Sequence, residues 1–132
     1  MSVDVLDHHI AGTKHASASG ERLPVVDPAT GAQVATQAAG DLADVAAAVA
    51  AAQQATAAWQ ALGTAGRGRA LTRWADLIDA EAAALAELDV TDTGKPYAVA
   101  AGSVGRAADM LRWYAGWAQT VPRQGVGRIS LT

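Results

Sequence analysis

The chain contains no cysteine, no phenylalanine and no asparagine. Without cysteine it has no disulfide, no thiolate metal ligand and no sulfur nucleophile of its own. Charge of one sign is scarce as well: ten Lys and Arg stand against thirteen Asp and Glu, a formal charge of −3. No basic patch forms, so nucleic acid is not an expected partner. Met1–Ile10 carries Asp4 and Asp7 and lacks an apolar run, so a secretory leader is not expected. The longest stretch of low charge is alanine-rich and interrupted by Gln53 and Gln54, too weakly apolar to span a membrane. These absences predict a soluble cytoplasmic protein. Arginine in place of lysine and the abundance of alanine point to a bacterial source.

Apolar residues make up 51% of the 132, and alanine supplies most of that share. Alanine favours helix but adds little transfer free energy when buried. The core is therefore expected to depend on four Trp, two Tyr and scattered Leu, Val, Ile and Met.

Punctuation divides the chain. Residues 1–7 read as a frayed terminus. Residues 8–37 read as short strands: His8–Ala11 and Lys14–Ala16 around Gly12-Thr13, then Leu23–Asp27 and Ala32–Gln37 around Asp27-Pro28-Ala29-Thr30-Gly31. Pro28 presets φ for that second turn and Gly31 can leave it at positive φ. Residues 41–121 read as helices. Asp41 is an N-cap with Asp44 favourably placed near the helix dipole. Val45, Val49, Ala52 and Trp59 then recur at helical spacing until Gly63. Thr64 is expected to cap the next helix, with Leu71, Trp74, Leu77 and Ile78 buried and Arg69, Arg73, Asp76 and Asp79 outside. A third helix carries Leu85 and Leu88 and stops at Gly94 and Pro96. Residues 122–132 alternate weakly and are expected to begin a strand or arm that is cut short.

The last helix, about Ala98 to Thr120, has two apolar stripes. Val104, Ala108, Leu111, Ala115 and Ala118 form one; Met110, Trp113, Trp117 and Val121 form the other. Arg106, Asp109 and Arg112 make a narrow polar seam, read as i,i+3 ion pairs. A helix apolar on two sides packs on two sides, and the preceding helices can cover only one.

Candidate chemistry is sparse. Gly94-Lys95 lacks the upstream Gly and downstream Ser or Thr of a phosphate loop. Gly63-x-x-Gly66-x-Gly68 does not match the dinucleotide fingerprint and reads as helix punctuation. His8, His9 and His15 have no carboxylate at ligand spacing. No serine sits in a nucleophile elbow. Asp92 lies at a helix end where carbonyls lack partners; it can cap the next turn or hold a cation with backbone oxygens. Lys95 offsets the C-terminal end of the same helix.

One ordered set of residues carries a resemblance. Pro24-Val25-Val26-Asp27-Pro28-Ala29-Thr30-Gly31 comes first. Val45-x3-Val49-x2-Ala52, Trp59 and Arg67 follow. Then come Leu71-x2-Trp74-Ala75-Asp76-Leu77-Ile78, Thr91-Asp92-Thr93-Gly94-Lys95-Pro96 and Tyr114-Ala115-Gly116-Trp117-Ala118. With His9-Ile10-Ala11-Gly12 ahead of it, this set resembles the N-terminal segment of the NAD(P)-dependent aldehyde dehydrogenases, over about residues 9–120. The resemblance implies a mainly α segment with small N-terminal antiparallel β hairpins, a partial piece of that α/β fold. It also implies a monovalent cation between the backbone carbonyl of Val26 and the carboxylate of Asp92. The family reaction it implies uses a cysteine thiolate, NAD or NADP as hydride acceptor, a glutamate base and an asparagine in the oxyanion site. None of these groups can be assigned here, so no catalytic or cofactor-binding residue is named. The expectation is an N-terminal fragment, inactive and binding no cofactor alone, whose partners are the missing C-terminal remainder or oligomer subunits. The alternative is a stand-alone helical interaction module that binds through Met110, Trp113 and Trp117.

Overall fold

In a computed structural model of the chain, residues 4–120 are described. Val121 and the expected arm at 122–132 lie outside them. Five short strands precede four helices.

The first hairpin pairs β2 (His8–Ile10) with β3 (Thr13–His15), antiparallel. Its two turn residues, Ala11 and Gly12, both take positive φ, 53° and 80°. That is the turn whose twist suits a two-residue hairpin. The second hairpin pairs β4 (Arg22–Val26) with β5 (Gln33–Ala38), with a register irregularity between Val25 and Val26. Asp27 builds its turn. Its carboxylate accepts from the Ala29 N–H at 2.8 Å and the Thr30 hydroxyl at 2.9 Å, and Gly31 leaves at φ 73°. These donors, the Ala29 N–H first and then Thr30, hold the Asp27 carboxyl below the usual Asp value.

The expected frayed terminus is corrected in part. β1 (Asp4–Leu6) adds to β5 in parallel, giving the sheet order β1-β5-β4. The strand ladder supplies the partners that the sequence of residues 1–7 gave no sign of.

α1 (Leu42–Ala61) begins with a reciprocal cap. The Asp41 carboxylate accepts from the N–H groups of Ala43 and Asp44, and the Asp44 carboxylate accepts from the Asp41 N–H at 3.1 Å. Asp44 also accepts from the Ala18 N–H at 3.0 Å and lies 3.2 Å from the hydroxyl of buried Ser17. It therefore ties the loop after β3 to the start of α1. The Asp41 N–H is the main cause that lowers the Asp44 pKa; burial opposes it, and Ala18, Ser17 and His8 add to it. Beyond this cap α1 buries no residue.

α2 (Gly63–Ala80), α3 (Ala82–Thr93) and α4 (Tyr97–Thr120) pack together, mainly α2 and α3 on α4. Small residues make the contact. Ala75, Ala86, Ala100, Ala108 and Ala115 are buried, and among the described residues no large side chain is fully buried. A Cβ at Gly68 would stand 2.9 Å from the Ala115 carbonyl oxygen, so Gly68 sets how closely α2 and α4 approach. Gly94 ends α3 at φ 70° with its N–H on the Val90 carbonyl, and Pro28 of the second hairpin packs against it.

Four helical details differ from expectation. Trp74 and Leu77 face solvent rather than the interior; the buried residues of α2 are Gly66, Gly68 and Ala75, and Gly68 makes the close approach to α4. Gly66 and Gly68 therefore sit buried inside a helix, not as punctuation, and Gly68 meets α4. Thr64 lies within the first turn of α2 and caps nothing, since the helix already starts at Gly63. The Arg106–Asp109–Arg112 seam is not a ladder of ion pairs. Arg112 reaches across to Asp76, at 2.8 Å, and Asp79 on α2, and these partners raise its pKa. Arg106 instead donates to the Ser103 hydroxyl.

Candidate interface and cation cleft

The described residues present two places that a ligand or partner could use. One is the outer face of α4. Its inner face carries Ala108 and Ala115, buried, with Val104, Leu111 and Ala118 half-buried beside them. The outer stripe, three residues round, is left bare: Met110 is 60% exposed, Trp113 60% and Trp117 55%. Both stripes read from the sequence are thus present, and only one is covered. Trp113 stacks on Trp117 one turn away, ring centroids 5.5 Å apart and planes 26° from parallel. Tyr114 meets Trp113 edge-on at 4.8 Å. Helical spacing had not placed Tyr114 with this face; the width of the indole ring brings the two together. A shallow depression lies over Asp109, Met110, Trp113 and Tyr114. Isolated exposed apolar residues are ordinary, but a contiguous aromatic and thioether surface marks an interaction site.

The second place is a cleft of about 510 Å³ between the three-stranded sheet and the end of α3. Leu6, Val25 and Ala35 line its sheet side, and Leu88, Asp89 and Asp92 its helix side. Packing of Gly94 on Pro28 holds the helix end against the second hairpin. Val26 ends β4, just past the register irregularity. Asp92 lies in the last turn of α3, exposed, and its carboxylate has no hydrogen-bond partner among the described residues, so it does not serve as a cap there. Lys95 turns back to Asp89 at 2.8 Å, which neutralises the nearer of the two carboxylates and leaves Asp92 as the free anionic group on that side. Among the described residues no three His, Asp or Glu side chains are grouped to hold a metal ion. The cleft thus offers two carboxylates unpaired among the described residues, Asp92 on the helix side and Asp4 on the sheet side, and Val25 rather than Val26 lines it.

The three histidines do not converge. His8 Nε2 stands 3.4 Å from Asp44 without a hydrogen bond among the described residues, and His15 bonds to the Thr13 hydroxyl at 2.8 Å. No helix among the described residues is long and apolar enough to cross a membrane.

The sequence pattern of the aldehyde dehydrogenase family matches residues 15–130. The chain belongs to the aldehyde dehydrogenase family. A mitochondrial aldehyde dehydrogenase from Equus caballus is 38% identical over 120 residues, which are 84% of this chain and 24% of that protein. The solved NAD-dependent aldehyde dehydrogenase from Sinorhizobium meliloti superposes with a TM-score of 0.85 at 32% identity, over 91% of this chain and 24% of its own. An aldehyde dehydrogenase from Bacillus cereus, solved as an NAD+ complex, gives 0.86 at 30% identity, over 90% of this chain and 25% of its own. The chain therefore spans about a quarter of the length of the relatives it matches. Its hairpins and four helices are a partial piece of that larger fold, as the ordered motifs implied.

Proposed function

We propose that this chain is the N-terminal structural segment of an NAD(P)-dependent aldehyde-oxidising enzyme, inactive alone. The observation that carries the reading is the match itself: nearly the whole chain aligns, yet it fills only about a quarter of each relative. Composition supports the second half of the reading. The family chemistry implied by the resemblance needs a cysteine thiolate, and a hydroxyl or carboxylate present here does not replace it; the chain has no cysteine. NAD or NADP then binds the assembled enzyme rather than this segment, and the assembly works in the cytoplasm.

In that role the segment supplies shape rather than chemistry. The Val26 carbonyl and the Asp92 carboxylate are proposed ligands of a monovalent cation. The unpartnered Asp92 carboxylate on the cleft wall supports that assignment. The cation would fasten α3 to the second hairpin; no chemical step is routed through it.

A turnover assay with a simple aldehyde and NAD+ or NADP+ tests the proposal. The 132-residue chain alone is expected to give no reduced nicotinamide. The same chain joined to the remaining part of a relative is expected to give it. Turnover by the chain alone defeats the reading.

A further inference from the structure

Among the described residues one buried side-chain nitrogen lacks a hydrogen-bond partner: Nε2 of His8, on β2. Buried polar atoms are nearly always paired, so an orphan calls for a reason. The nitrogen faces a carboxylate, Asp44 Oδ2, 3.4 Å away in the first turn of α1. Both side chains are largely covered, His8 at 23% exposure and Asp44 at 11%. The ring lies against Gly40, where a Cβ would stand 3.5 Å from Cε1. Neither aldehyde chemistry nor the cation cleft draws on this pair.

Asp44 Oδ2 has room for a further donor. It accepts from the Asp41 N–H at 3.1 Å. The Ala18 N–H lies nearer to Oδ1, 3.0 Å against 3.3 Å. The Ser17 hydroxyl stands 3.2 Å from Oδ2, but it has one hydrogen to share and its contact with the Ala39 carbonyl is the shorter. The remaining direction belongs to His8. Neutral imidazole carries one N–H, on either nitrogen. Imidazolium carries both, and a charge-assisted bond is shorter and stronger than a neutral one.

We propose that His8 and Asp44 form a pH-sensitive latch that fastens the first hairpin to the start of α1, closed when the imidazole is protonated and loosened when it is neutral. The surrounding charges decide the sign. The Asp41 carboxylate belongs to the same cap but is engaged with the N–H groups of Ala43 and Asp44. From β3, His15 sits opposite His8 in the ladder, and two imidazolium groups there would repel. His15 is exposed, with its Nε2 on the Thr13 hydroxyl at 2.8 Å, so water screens that repulsion while the Asp44 contact is covered. Attraction therefore wins. His9 and its partner Lys14 alternate to the other face of the hairpin. The Asp44 carboxyl is held below the usual Asp value, first by the Asp41 N–H. It stays ionised throughout the range in which imidazole titrates. The latch is therefore closed at the acid end of that range and opens as pH rises through it.

Hydrogen exchange of the 132-residue chain tests the latch at about pH 5.5 and about pH 7.5, on either side of the ordinary imidazole transition. Protection factors are compared, so that the pH dependence of exchange chemistry itself cancels. Amides of α2 and α4 are the internal reference, since all three histidines lie at 8, 9 and 15. Amides of the β2–β3 ladder are expected to be about two- to fivefold better protected at the lower pH. His8→Gln should give equal protection at both, whereas His9→Gln and His15→Gln should keep the difference. His8→Lys, charged at both pH values, should hold the hairpin equally at both and serves if glutamine leaves it unprotected. A native chain without the rise, a hairpin unprotected at either pH, or a rise that persists in His8→Gln or His8→Lys overturns the proposal.

Discussion

The strand region and the helical region solve the same problem in opposite ways. Through residues 4–44 the chain is held by local polar contacts. Asp27 closes its own turn, and Asp41 and Asp44 cap α1 reciprocally while Asp44 reaches the loop before β4. Almost nothing there is buried beyond Ser17 and Ala35. From α2 to α4 the fully buried residues are small, and the tryptophans with most of the other large side chains stay exposed while Leu71, Ile78 and Leu111 are half-buried. Short-range hydrogen bonds fix a conformation wherever the segment sits. A core of alanines gains little from transfer out of water. The helical part therefore depends on close approach within the chain and leaves much of its large apolar surface uncovered.

The largest expected effect bears on that close approach. Gly68→Val places a branched side chain against the Ala115 carbonyl, 2.9 Å from the new Cβ, and should lower unfolding stability by about 2–3 kcal/mol in urea titrations. An unchanged midpoint would show that α2 and α4 are not in this tight register. Next comes Gly94→Val, which combines a φ of 70° with an approach of 2.9 Å to Pro28. A loss of about 1–2 kcal/mol is expected. Because Gly94 joins the two regions, this variant should also loosen the second hairpin in hydrogen exchange.

Asp41→Ala removes the cap of α1 and should lose about 1 kcal/mol. A null result would mean that the strand region is not held locally after all. The acid arm of stability gives a finer test. Asp27 and Asp44 both have carboxyl pKa values below the usual Asp value of 3.8. Their stabilisation is complete above that value and is lost as pH falls through the lowered folded values. Asp27→Asn and Asp44→Asn should each flatten that acid loss. The smallest effect is expected for Arg112→Gln. Its pairs with Asp76 and Asp79 lie at the surface, where added salt already screens them. A large loss there would make charge, rather than small-residue packing, the organiser of the helices.

Both hairpins were legible in the sequence, because turn chemistry is local: Gly12, Pro28 and Gly31 each act on one or two neighbours. The Asp41 cap and the Gly94 stop were legible for the same reason. So was the double stripe of α4, since two apolar sets a fixed rotation apart show directly in the spacing. The inner face of α2 was not. Periodicity marked Leu71, Trp74, Leu77 and Ile78 as apolar, but it cannot tell a face that meets this chain from one that meets another body. Gly68, which makes the close contact, carries no apolar signal. The partners of Arg112 were missed because they come from α2, more than thirty positions earlier. β1 was missed because a three-residue strand has too little pattern to stand out. The cleft beside α3 was visible only as Asp92 at a helix end; its depth depends on a sheet that no local signal places beside α3.

The placement of the tryptophans has a practical consequence. Trp59, Trp74, Trp113 and Trp117 are the only four, and each is 44–60% exposed. Indole fluorescence of the separate polypeptide should therefore be red-shifted and easily quenched by iodide even when every helix is intact. Its colour would follow contact with a neighbour rather than folding, so the chain carries its own optical gauge of assembly.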